Sequence, residues 1–140
     1  MQSLILRMTV PVPANGLWPN DRTHWARRAR LVKQSRAVAQ LVAMEAARAA
    51  GWIKPVPQPT VMAIFLLPGR KRDPDNCVAA LKSVLDGITD AGVWTDDRDL
   101  TILPPRVFSR VEWTAAGLRG PGLTLEITPQ DYTQGLKESR

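Results

Sequence analysis

Thr60-Val-Met-Ala-Ile-Phe-Leu-Leu67 is a nearly continuous apolar run that stops at Pro68-Gly69 and passes through a basic turn, Arg70-Lys71-Arg72, into Asp73-Pro74-Asp75-Asn76. A run of this length is that of a central strand covered on both faces. Beyond it the period changes. Val78, Leu81, Leu85 and Ile88 recur at three- and four-residue steps, which predicts one helix from the Asp-Pro-Asp-Asn segment to about Ala91. Asp73 suits its N-cap, and Pro74 suits the first helical position, where a missing N–H costs nothing.

The same alternation of strand and helix signals extends in both directions. Leu4, Leu6, Met8 and Val10 alternate with polar neighbours up to Pro11-Val12-Pro13, so residues 3–10 read as an opening strand. From about Thr23 to Ala50 the spacing of Trp25, Ala29, Val32, Ala39, Val42, Ala46 and Ala49 is helical, and Gly51 and Pro55 end it. After Gly92, Asp96-Asp97 fall in a turn before a short strand. Arg106 to Trp113 and Leu123 to Ile127 alternate like strands, and the five tryptophans read as core anchors. At 140 residues one core is expected. The reading is an α/β (α+β) fold: a single compact domain over residues 1–128, a small mixed β-sheet with two main helices packed on it, and a polar tail over 129–140.

Charge is segregated along the chain. The net charge is +6, yet residues 1–60 hold nine bases against Asp21 and Glu45, while residues 73–99 hold seven acids against Lys82 and Arg98. Arg22, Arg27, Arg28, Arg30, Lys33 and Arg36 cluster in the first half of the long helix, as expected for contact with phosphates. An acidic island opposes such a partner unless divalent cations neutralise it. One cysteine, Cys77, excludes an internal disulfide and a Cys-based zinc site, and one histidine, His24, leaves no His-rich metal site. Any chemistry must rest on carboxylates, lysine and a hard cation. No signal peptide or long apolar run is legible, so a cytoplasmic protein with no membrane partner is expected.

These signals combine into Arg-Asp-Pro-Asp-Asn, then Lys-x-x-x-Asp-Gly, then Asp-Ala-Gly-Val-Trp-x-Asp-Asp. The run from Arg72 to Asp97 resembles the RusA family of Holliday junction resolvases, small phage and prophage endonucleases. Trp18-Pro19-Asn20-Asp21-Arg22-Thr23-His24-Trp25 looks like the Asn-centred motif of that family. The resemblance implies a homodimer that cuts four-way DNA junctions with Mg²⁺, Mn²⁺ being a possible substitute, and no small-molecule organic cofactor. It makes Asp73, Asp75 and Asp97 essential metal-binding aspartates and Lys82 the catalytic lysine. Asp96 joins the metal-site expectation, and Asn20, Asn76 and Asp86 match further motif positions. Arg70, Lys71 and Arg72 join the helix bases as expected DNA contacts. Lys82 stands seven residues after Asp75, where the best-known members place lysine four after, a position held here by Ala79.

The chemistry accounts for these residue types. Phosphodiester hydrolysis needs an activated water, a hard cation on the phosphate oxygens and relief of charge on the leaving oxygen. Two or three carboxylates from separate segments suffice to hold magnesium, which keeps several waters. Two such sites in a two-fold dimer would nick opposing strands symmetrically. The rival reading is a DNA-binding or architectural protein that does not cleave. An EF-hand loop counted from Asp73 fails, with Val78 where glycine and Val84 where glutamate belong.

Overall fold

The computed structural model describes residues 5–52 and 55–129. Five strands form one mixed sheet: β1 (Leu6–Val10), β2 (Thr60–Leu66), β3 (Thr101–Ile102), β4 (Arg106–Phe108) and β5 (Gly122–Thr128). β5 lies between β1 and β2, antiparallel to both, and β3 and β4 pair with β2 in parallel. β3 and β4 lie on the same side of β2, opposite residues 60–61 and 64–66, so they are two pieces of one edge interrupted at Pro104-Pro105. Proline donates no ladder hydrogen bond, which confines the break to an edge.

The register explains the core. Leu6, Ile127 and Val61 stand in one row, Met8, Leu125 and Ala63 in the next, and Val10, Leu123 and Phe65 in a third, all buried. Rows between them carry Arg7 paired with Glu126 at 2.6 Å and the Thr9 and Thr124 hydroxyls 3.1 Å apart. A two-residue side-chain period sends the first set to the core and the second to the opposite face. β2 is central, as expected, but its second face is only half-buried rather than covered.

Four helices complete the fold: α1 (Trp25–Ala50), α2 (Pro74–Ala80), α3 (Lys82–Asp90) and the short α4 (Arg110–Ala115). α1 and α3 are the main pair. α1 meets α3 along Ala39, Ala43 and Ala47, a row of small buried residues at four-residue steps. Gly87 of α3 takes the closest approach, since a Cβ there would overlap the Arg36 carbonyl and stand 2.8 Å from the Ala39 methyl. Gly51 ends α1 in the left-handed conformation at φ 65°, its N–H and that of Trp52 closing the last turn.

Three expectations need correction. The helix after Pro74 is two helices, because Leu81 donates to Val78, three residues back, and tightens the turn. That turn lets Ala80, Leu81, Val84, Leu85 and Ile88 all be buried. Residues 110–115 form a helix rather than a strand, started by a reciprocal capping box between Ser109 and Glu112. Trp25 is 77% exposed, whereas Trp18, Trp52 and Trp94 are buried as anchors. The polar tail from residue 130 lies outside the described residues, as do residues 3 and 4 of the expected opening strand.

Candidate active site

The β2-to-α2 turn delivers the first two aspartates. Asp73 occupies the N-cap position with extended backbone, and its carbonyl accepts the Cys77 N–H at 3.1 Å, but its carboxylate makes no capping bond. Pro74 fills the first helical position without loss, and the Asp75 and Asn76 N–H groups that a capping side chain would reach receive no bond from that carboxylate. The Asp73 and Asp75 carboxylates are exposed and make no hydrogen bond or ion pair with any described residue. Asp73 at the N-cap and Asp75 in the first turn sit favourably at the positive end of a helix. Asn76 is half-buried behind them. Cys77 is fully buried, and burial pushes its thiol up to about 11, so it is an inert core residue rather than a nucleophile.

Asp97 arrives from the other end of the α3 connection. It opens a 3-10 turn, Asp97–Asp99, whose N-cap is Asp96. The Asp96 carboxylate accepts from the Arg98 backbone N–H at 2.9 Å and from its guanidinium at 3.0 and 2.7 Å. The Arg98 guanidinium, then its backbone N–H, hold that carboxyl well below the usual carboxylate range. Asp96, expected among the metal ligands, therefore has a structural task, and it turns Asp97 outward.

Asp97 lines a cleft of about 390 Å³ with Lys82 and Asp86, between apolar walls of Val78, Leu85, Leu100 and Ile102. Lys82 begins α3, and its Nζ lies 3.6 Å from Asp86 Oδ1 one turn later. The cleft thus brings together the lysine and two of the expected acids, although Lys82 itself remains 77% exposed. Ala79, where the best-known family members have lysine, lines the same cleft. Asp73, Asp75 and Asp96 are not among its lining residues. Among the described residues, no three His, Cys, Asp or Glu side chains stand close enough to hold a metal ion by themselves. The donor chemistry nonetheless fits a hard dication. Asp86 and Asp97 offer carboxylate oxygens in one cleft, and Mg²⁺ is commonly held by one or two carboxylates with waters and phosphate oxygens completing its shell.

The expected DNA-contacting bases divide into two groups. Arg28 donates to the Gly16 carbonyl at 2.7 Å and braces the loop before α1. Arg36 reaches across to α3 and grips both Asp90 oxygens, at 2.5 and 2.8 Å. Lys71 lies 3.7 Å from Glu112. Arg22, Arg27, Arg30, Lys33 and Arg70 are exposed and make no ion pair with a described residue.

Arg72 stacks 4.2 Å from the centroid of the buried Trp18 ring, and Trp18 is itself fixed by donating to the Pro13 carbonyl at 2.9 Å. This stack ties the loop before α1 to the residue preceding Asp73, a link that no local spacing in the sequence reveals. Both line a hollow of mixed polarity with Arg70 and Asn15. In the Asn20 motif the anchoring residue is its neighbour Asp21, whose carboxylate accepts from Gly16 and Trp18 N–H groups at 2.5 and 3.3 Å, while Asn20 is exposed. An aspartate three residues after Trp18 in a Gly/Pro-rich loop was the available signal.

No protein-family profile matches the chain. It is similar to an uncharacterized protein of Xylella fastidiosa, 41% identical over 103 residues, which is 70% of this chain and 61% of that protein. The chain therefore spans less than two thirds of that relative's length.

Proposed function

We propose that this chain is a Mg²⁺-dependent, structure-specific DNA endonuclease of the RusA type that resolves four-way junctions by paired symmetric nicks. The observation that carries this reading is the cleft where Lys82, Asp86 and Asp97 meet, close in sequence to two free aspartates and accompanied by a face of unpaired arginines. Lysine and carboxylates in one cleft are the groups that metal-assisted phosphodiester hydrolysis uses. Asp97 and Asp86 would hold the ion, with Asp73 and Asp75 as the further carboxylates that the resemblance assigns. Bound there, Mg²⁺ supplies Lewis-acid charge at the scissile phosphate and activates water.

The remaining work belongs to the chain. Asp86 holds the Lys82 ammonium over the cleft, where it offsets negative charge that grows on the phosphate and leaving oxygen. Asp96 and Arg98 fix the turn that presents Asp97. Apolar side chains of Val78, Leu85, Leu100 and Ile102 line the cleft beside these groups. Arg22, Arg27, Arg30 and Lys33 neutralise backbone phosphates without reading sequence. A homodimer would offer two such sites to opposing strands, and the buried single cysteine is in keeping with a reducing cytoplasm.

The decisive assay offers four-way, three-way, duplex and single-stranded DNA with Mg²⁺ or with EDTA and maps the cuts. Symmetric paired nicks confined to the four-way substrate and abolished by EDTA are expected. Tight junction binding with no cutting under any divalent ion would instead make the protein a non-cleaving architectural binder.

A further inference from the structure

Trp25 is the first residue of α1, and 77% of its surface is open to solvent. Isolated surface apolar residues are ordinary, but a tryptophan that forgoes burial loses the largest hydrophobic contribution any side chain can make. Its surroundings are also unusual. The His24 ring lies 5.5 Å away, centroid to centroid, tilted by only 31°. His24 is held in turn, since its Nδ1 accepts the Ala26 N–H at 3.2 Å and caps the helix. The two rings lie side by side as an exposed aromatic shelf at the start of the helix.

The charges around the shelf point the same way. The first turn of α1 contains no acid, although that end of a helix favours acids, and it carries Arg27 and Arg28 instead. Arg28 is satisfied by the Gly16 carbonyl, whereas Arg22, Arg27, Arg30 and Lys33 face solvent without an ion pair. Arg27 in the first turn is set against the helix dipole, an arrangement that a bound anion would relieve. An aromatic shelf ringed by such cations matches what an unstacked nucleotide offers, a π-face beside a phosphate.

We propose that Trp25, backed by His24, is a stacking platform for an unpaired or splayed base of branched or single-stranded DNA. This rests on the proposed nuclease reading and adds to it a contact that duplex DNA, whose bases are already stacked, cannot make. The test measures binding of the full chain, wild type, Trp25→Ala and Trp25→Phe, to a four-way junction and to plain duplex of equal length, with 2-aminopurine at the branch point, in EDTA. Trp25→Ala should weaken junction binding about 5- to 100-fold and abolish the change in 2-aminopurine fluorescence, with duplex affinity little altered and Trp25→Phe intermediate. Equal loss on junction and duplex, or no loss on either, would overturn the platform while leaving the nuclease reading intact. Failure of the wild type to bind any DNA would overturn both. Loss of self-association in sedimentation, with junction affinity kept, would assign Trp25 to a second copy of the chain instead.

Discussion

The cleft over α3 and the first half of α1 handle charge in opposite ways. In the cleft, Lys82 pairs with Asp86 beside apolar side chains, and Asp97 is presented by a turn that Asp96 and Arg98 hold from outside it. On α1, Arg22, Arg27, Arg30 and Lys33 have no partner within the described chain and crowd one exposed surface. Charges paired with one another favour one local geometry, whereas charges left unpaired are free to meet an outside partner. The cleft should therefore govern the rate of cutting and the basic face the strength of binding. Asp97→Asn gives the largest separation of the two: cleavage of a four-way junction should fall about 10³-fold, the loss of several kcal/mol of charge stabilisation, with junction affinity in EDTA unchanged. A nicking rate within tenfold of wild type would remove Asp97 from the chemistry.

Both regions depend on the contact between α1 and α3, and Gly87 is its tightest point. Gly87→Ala forces a methyl against the Arg36 carbonyl and the Ala39 side chain, with backbone on one side that cannot swing away. Overpacking of this kind costs about 2–3 kcal/mol, which lowers Tm by roughly 5–10 °C in a domain of this size. Thermal unfolding followed by circular dichroism measures it. Because the two helices would part, binding and cutting should decline together, unlike the response to Asp97→Asn.

That contact also marks where the sequence stops being informative. The buried faces of β1 and β5 were legible as a period of two, whereas the continuous apolar run of β2 gave its place as a strand but not which face is buried. The long helix was legible in extent but not in its packed face, since alanines at 39, 43 and 47 carry little hydrophobic signal and matter only through the glycine opposite. The break at Leu81 has no glycine or proline to announce it. The strand expected through Trp113 was an error of period over a stretch too short to decide, although Ser109 and Glu112 did spell a capping box. The motif names Lys82, Asp86 and Asp97, which share a cleft, together with Asp73 and Asp75, which do not line it, while the Asp96 contacts depend on Arg98, whose conformation no spacing gives.

The basic face is best tested by its salt dependence. Each phosphate contact contributes about 0.9 to the slope of log affinity against log salt on duplex DNA. Arg27→Ala and Arg30→Ala should each lower that slope by about one and weaken binding by roughly tenfold or less, on cleavable and uncleavable DNA alike. Fluorescence anisotropy titrations at several salt concentrations provide the measurement. An unchanged slope in the double variant would move the DNA path off α1.

Arg36 is the smallest effect and the sharpest boundary, because it lies in the basic run by sequence yet turns onto Asp90 in the structure. Arg36→Ala should leave the salt slope near its wild-type value, in contrast to Arg27→Ala and Arg30→Ala. Its cost should appear in stability and depend on pH. A hydrogen bond from Arg36 and its charge hold the Asp90 carboxyl below its ordinary value, so on acidification the unfolded chain takes up that proton before the folded one. The contribution of the pair is complete above the unfolded carboxylate value, about 4, and is lost as pH falls through the folded value. Denaturant unfolding of wild type and Arg36→Ala should accordingly differ slightly at pH 7 and converge in acid. A difference that persists at pH 2, or a salt slope lowered as far as in Arg27→Ala, would return Arg36 to the DNA-contacting group.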